Sequence, residues 1–148
     1  MKNIFLAEDD ADDRQFFEDA LKEITIPTEL TLSKNGLELM KNLETLTSHP
    51  PPHIIFLDIN MPYKGGLECL KEIRETPKFK EIPVVIFSTS ANDEVVAKTY
   101  HQGANYYVRK PTSFLLLIKA IETVLMLEMW RKPKPTQEQF LLKISDNN

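Results

Sequence analysis

Two kinds of apolar stretch alternate along the chain. The short kind is rich in β-branched and aromatic residues: Asn3–Ala7, Glu29–Leu32, His53–Leu57, Val84–Phe87 and Asn105–Val108. Three of these contain consecutive apolar residues (IFLA, IIFL and VVIF), the pattern of parallel strands covered on both faces. The longer kind has helical spacing. Phe16, Phe17, Ala20, Leu21 and Ile24 recur at three- and four-residue intervals, as do Leu37, Met40 and Leu43, then Leu67, Leu70 and Ile73, then Val95, Val96, Thr99 and Tyr100. The last such segment, from Leu115 through Ile118, Ile121 and Val124 to Leu125, is the most apolar and predicts a buried helix. Turn formers mark the joints: Pro27 after the first helix, Asn35-Gly36 opening the second, His49 with Pro50, Pro51 and Pro52 before the third strand, Pro83 at the fourth, and Gly103 where the fourth helix ends. Five repeats of strand then helix predict a parallel sheet with right-handed crossovers, a three-layer α/β domain spanning residues 1–128.

Residues 129–148 differ. Pro133 and Pro135 oppose a continuous helix from the fifth one. The expectation is a partly ordered tail; the alternative is that its apolar cluster, Phe140 to Ile144, docks on the domain or on a partner. Trp130 stands at the domain edge, where it could pack the tail.

Charge and composition narrow the classes. A net charge of −4 and a pI near 5.4 disfavour nucleic acid and anionic membrane as partners. The Lys119, Glu122 and Glu128 charges interrupt the longest apolar run, so no membrane span is expected, and the charges following Met1–Ala7 leave too short a core for a signal peptide. The single cysteine, Cys69, suits a reducing, cytoplasmic compartment and reads as core rather than as a nucleophile. His49, His53 and His101 lack metal-ligand spacing, and no Gly-rich phosphate loop is present.

Ligands of an open parallel sheet bind beyond the carboxyl ends of its strands. The first strand runs into Glu8-Asp9-Asp10, the third into Asp58-Ile59-Asn60, the fourth into Ser88-Thr89 and the fifth into Arg109-Lys110-Pro111. The first acids could simply cap the following helix. Asp58 is different, because it ends an apolar strand, where an ionised carboxylate needs a cation. An ammonium group would serve, or a hard divalent ion held by oxygens of Asp9, Asp58 and the carbonyl near Asn60, with Glu8 direct or through water. The same set suits phosphoryl transfer to a carboxylate: Lys110 and a metal would neutralise phosphoryl oxygens and Ser88 would donate a hydrogen bond.

The order Glu8-Asp9, Asp58-x-Asn60-x-Pro62, Ser88-Thr89, Lys110-Pro111 resembles the CheY-like receiver domain of two-component response regulators over residues 1–128. That resemblance implies a flavodoxin-like, doubly wound five-stranded parallel sheet of order 2-1-3-4-5 with five flanking helices. It implies that Asp58 is the phosphoacceptor, and that Glu8, Asp9, Asp58 and the Asn60 backbone carbonyl hold Mg²⁺. Ser88 takes the hydroxyl position, Lys110 the lysine position, and Tyr107 the switch aromatic. The last assignment rests on counting back from Lys110, and the adjacent Tyr106 would occupy the opposite face. The Lys110-Pro111 bond is often cis in such domains. The loop Tyr63-Lys64-Gly65-Gly66 departs from the usual Asp-Gly, and its glycines are expected to supply the turn's freedom.

The function expected is a stand-alone bacterial response regulator in a phosphorelay. A sensor histidine kinase or a histidine phosphotransfer protein would phosphorylate it, and the Pro-rich loop before the third strand and the tail after the fifth helix resemble regulators paired with bacterial sensor or phytochrome-type kinases. It would signal through protein contacts of its fourth-helix, fifth-strand and fifth-helix face, without direct DNA binding, with homodimerisation open. Ser90 is small, which leaves room for an attacking water and predicts no unusually long-lived phosphoform. The alternatives are an aspartate-nucleophile phosphatase, which would need a second acid where Asn60 stands, and a phosphorylation-independent scaffold.

Overall fold

The computed structural model describes residues 1–46, 51–129 and 134–144. Each expected strand forms within one residue of its predicted limits: β1 (Lys2–Ala7), β2 (Thr28–Ser33), β3 (Ile54–Leu57), β4 (Val84–Ser88) and β5 (Tyr106–Arg109). All are parallel and lie in the order β2-β1-β3-β4-β5. The crossovers are α1 (Ala11–Lys22), α2 (Gly36–Leu46), α3 (Gly66–Glu75) and α4 (Asp93–His101), and α5 (Phe114–Met126) follows β5. Asp10, Asn92 and Ser113 cap α1, α4 and α5, each side chain accepting from the amide three residues on.

Strand side chains alternate between two cores, as the pleat requires. Ile4, Leu6, Phe56, Val85, Phe87 and Val108 face α1 and α5, where Phe17 meets Phe56 and Phe87 edge to face at centroid distances of 5.0 and 5.7 Å. Phe5, Ala7, Ile55, Leu57, Ile86 and Tyr107 face the opposite way, toward α2, α3 and α4. Two helical stripes are offset from expectation. On α2 the buried residues are Leu39 and Leu43, while Leu37 is exposed in the first turn; on α5, Leu115 is exposed and Leu117, Ala120, Ile121, Val124 and Leu125 form the buried face. An apolar surplus on a helix lets several stripes fit the same spacing, and only packing selects among them.

The sheet has a sixth strand, a correction to the five expected. Thr136 caps a single helical turn, α6 (Gln137–Phe140), with a reciprocal capping box to Gln139, and β6 (Leu141–Leu142) pairs parallel to β5 in the register Tyr107↔Leu141 and Val108↔Leu142. The apolar cluster therefore docks on the domain itself. Phe140 is fully buried, its ring 5.2 Å from that of Tyr100 and 6.2 Å from that of Tyr107. Burying a phenylalanine stabilises by about 1.5–3 kcal/mol, which favours the docked position of a segment with only one helical turn and a two-residue strand.

Candidate functional site

The register of the central strands builds the site. Ala7 lies opposite Leu57 in the β1–β3 ladder, so the next residues, Glu8 and Asp58, emerge side by side at the carboxyl edge. Their backbones stay tied to the sheet: Glu8 N–H donates to Ser33 O at 3.0 Å and Asp58 N–H to Ala7 O at 3.1 Å. On the other side Ser88 is level with Arg109, and Lys110 N–H donates to Ser88 O at 2.8 Å. Lys110 is thereby aimed back over the sheet edge.

Its ammonium collects three carboxylates. It contacts Glu8 Oε1, and lies 3.2 Å from Asp58 Oδ2 and 3.1 Å from Asp13 Oδ2. Glu8 is 1% exposed and Asp58 5%. Burial pushes the Glu8 carboxyl up to about 7, with the Lys110 hydrogen bond opposing and the Asp58 charge reinforcing the rise. The Lys110 side chain is itself largely buried, which disfavours its charge, but hydrogen bonding to Glu8 and the Asp58 charge more than reverse this and hold its pKa above the ordinary lysine value.

Asp58 Oδ1 accepts from the Asn60 N–H at 3.3 Å. Glu8, the exposed Asp9 and Asp58 each present an oxygen, all within 4.8 Å of one another, a donor set that fits a hard divalent cation. The Ser88 hydroxyl is fully buried and lies against the hydroxyl of Tyr107. Tyr107, not Tyr106, is the fully buried aromatic on the α4 side, and its hydroxyl donates to Ser90 O in the loop after β4. The counted assignment thus falls on the inward-facing ring.

Some expectations change. The capping alternative holds for Asp10, whose carboxylate accepts from Asp13 N–H at 2.9 Å, but not for buried Glu8. No described peptide bond is cis, so Lys110-Pro111 is trans, the isomer ordinarily favoured; anchoring of Lys110 N–H on Ser88 O suffices to aim the side chain. In the β3–α3 loop the positive φ, 66°, belongs to Tyr63 rather than to a glycine. Gly66 is needed for closeness instead: a Cβ there would lie 2.7 Å from Ile59 Cα and closer still to the Asp58 carbonyl oxygen. Cys69 is buried, its thiol pushed up to about 11 by burial, and His53 accepts from Asn3 N–H. His49 and Trp130 lie outside the described residues.

Sequence reasoning missed Asp13 and Arg14. Asp13 sits in the first turn of α1, which starts beside the strand ends, so its spacing of four from Asp9 was the available signal. Arg14 donates to the carbonyls of Glu8 (2.8 Å) and Asp9 (3.0 Å) and fixes the acidic loop.

Comparison with known proteins agrees with this architecture. Residues 4–122 match the model of the response regulator receiver domain. The response regulator Rcp1 of Synechocystis sp. is 36% identical over 126 residues, covering 83% of this chain and 86% of that one. The crystal structure of the Mn²⁺-bound form of Rcp1 superposes with a TM-score of 0.76 at 33% identity, over 92% of this chain and 100% of that one. The phosphorylated cyanobacterial phytochrome response regulator RcpA gives 0.78 at 32% identity, over 91% and 99%. No helix among the described residues is long and apolar enough to cross a membrane. This chain belongs to the receiver-domain family of two-component response regulators.

Proposed function

We propose that the chain is a phosphorylation switch of a two-component phosphorelay, with Asp58 as phosphoacceptor. The observation that carries this is the buried Asp58 carboxylate, held between the Lys110 ammonium and the Glu8–Asp9 acids at one sheet edge. Two similar proteins support it, one captured phosphorylated and one with Mn²⁺ bound.

In this reading a histidine kinase or histidine phosphotransfer protein presents a phosphohistidine. An Asp58 carboxylate oxygen attacks phosphorus, the new P–O bond replaces the P–N bond, and the imidazole leaves with the electron pair. Glu8, Asp9, Asp58 and the Asn60 carbonyl would hold Mg²⁺, which when bound supplies positive charge to the phosphoryl oxygens. Lys110 exchanges part of its contact with Asp58 for a phosphoryl oxygen, and the buried Ser88 hydroxyl donates to another. The chain assists transfer and later hydrolysis of its own phosphoryl group without turning over a separate substrate. Asn60, unlike an acid, cannot shuttle the proton a phosphatase needs. Output passes through altered protein contacts rather than DNA, in the cytoplasm, with a homodimer as one form of contact.

The test is uptake of a phosphoryl group from acetyl phosphate, or of beryllofluoride, with Mg²⁺. Wild type should gain one phosphoryl mass and Asp58→Asn none. Equal uptake by the variant would remove Asp58 from the role, and steady phosphate release from phosphomonoesters would replace the switch with an enzyme.

A further inference from the structure

We propose that the seating of segment 134–144 on the α4–β5 edge and phosphorylation of Asp58 strengthen each other through Tyr107. This rests on the role given to Asp58 above.

The segment is held by a set of contacts converging on two tyrosines. Tyr100 O–H donates to Pro135 O at 2.9 Å, while Lys134 donates to Tyr100 O and lies 4.0 Å from the centre of the Tyr100 ring. Phe140 closes against the rings of Tyr100 and Tyr107, and Leu141 lies beside Tyr107 in the ladder. Tyr107 therefore has the segment on one side. On the other it reaches the phosphoryl site: its hydroxyl donates to Ser90 O, two residues past Ser88.

A second observation joins the same two regions. A cleft of about 650 Å³ runs between them, lined by Thr89, Lys110 and Pro111 from the site loops and by Leu141, Leu142 and Ile144 from the segment. One side of the cleft is thus supplied by the docked segment and the other by loops that must accommodate a phosphoryl group.

The direction of coupling follows from volume. An outward swing of the Tyr107 ring would enter space that Phe140 and Leu141 fill, so the docked segment favours the buried ring. Whatever draws the Ser88–Ser90 loop and Tyr107 inward must, by linkage, favour docking by the same factor. The attachment is slight, a single helical turn and a two-residue strand, so its equilibrium lies where a modest coupling can shift it. A partner that reads the α4–β5 face must displace the segment or bind over it.

Hydrogen exchange of the 148-residue chain, with and without beryllofluoride and Mg²⁺, tests this. Protection of the amides at 137–142 should rise at least about fivefold, the lower end of usual coupling. Phe140→Ala should raise the half-saturating beryllofluoride concentration by a similar factor while leaving Mg²⁺ affinity within about twofold, and Tyr100→Phe should act in the same direction more weakly. Should Phe140→Ala fail to fold, the wild-type exchange measurement decides alone. Unchanged exchange at 137–142 with normal beryllofluoride uptake overturns the coupling and leaves the phosphoacceptor reading intact. No uptake by wild type overturns both.

Discussion

Replacing Glu8 with glutamine should stabilise the metal-free protein near neutral pH, although Glu8 belongs to the proposed metal site. Glutamine keeps the shape and removes the charge. The Glu8 carboxyl titrates at about 7 in the folded chain against 4.5 ordinarily, because burial outweighs its pairing with Lys110. Through the window between those values the folded state holds a proton that the unfolded state has released. Stability therefore falls as pH rises from 4.5 to about 7 and stays low above. A span of roughly 2.5 pH units at about 1.4 kcal/mol each gives an upper limit of ~3.5 kcal/mol. In urea denaturation with chelator at about pH 8, Glu8→Gln should exceed wild type by about 1–3 kcal/mol, and the gap should close toward about pH 4.5. Mg²⁺ at a thousandfold excess over Kd should reverse the order, since wild type gains about 4.1 kcal/mol there and the variant much less. A variant less stable than wild type at high pH without metal would show that the Lys110 pairing, not the burial, governs Glu8.

Mg²⁺ affinity should rise by up to about tenfold per pH unit between about pH 5 and 7 as Glu8 gives up its proton, then level off; calorimetry in buffers of different ionisation enthalpy would detect the released proton, and a flat profile would exclude a protonated Glu8. Gly66→Ala forces a Cβ onto the backbone of Asp58 and Ile59, so phosphoryl uptake should fall at least tenfold and thermal stability by about 2–4 kcal/mol. Arg74 donates to the carbonyls of Lys80, Ile82 and Gly103 and to the Asn105 side chain, at 2.7–3.0 Å. Arg74→Lys should cost about 2–4 kcal/mol in denaturant melts with Mg²⁺ affinity unchanged, because this cluster lies at the opposite ends of the strands.

The strands and the strand-end chemistry were legible because both are local. IFLA, IIFL and VVIF declare burial on two faces, and the residue after each declares what the sheet edge carries. Glu8, Asp58 and Lys110 could be placed together once the strands were parallel and in order. What was not legible depends on distant partners. The choice of Leu39 over Leu37 is made by what α2 packs against. Asp13 matters only because Lys110, 97 residues away, reaches it. Phe140 looked like part of a tail because its pocket is built by Tyr100 and Tyr107, neither of which announces a vacancy. In the sequence Gly66 signals freedom of rotation, while the fold needs its lack of a side chain.

The sixth strand also changes how the molecule could be instrumented. Met1 is largely exposed and precedes a strand that begins at Lys2, so a purification handle there would be remote from the carboxyl edge. A dye attached at Lys143, exposed and next to the cleft beside Lys110, would instead report on that cleft directly. The residue just past the short strand that extends the sheet thus offers a position for an optical probe of the cleft, with no second protein needed.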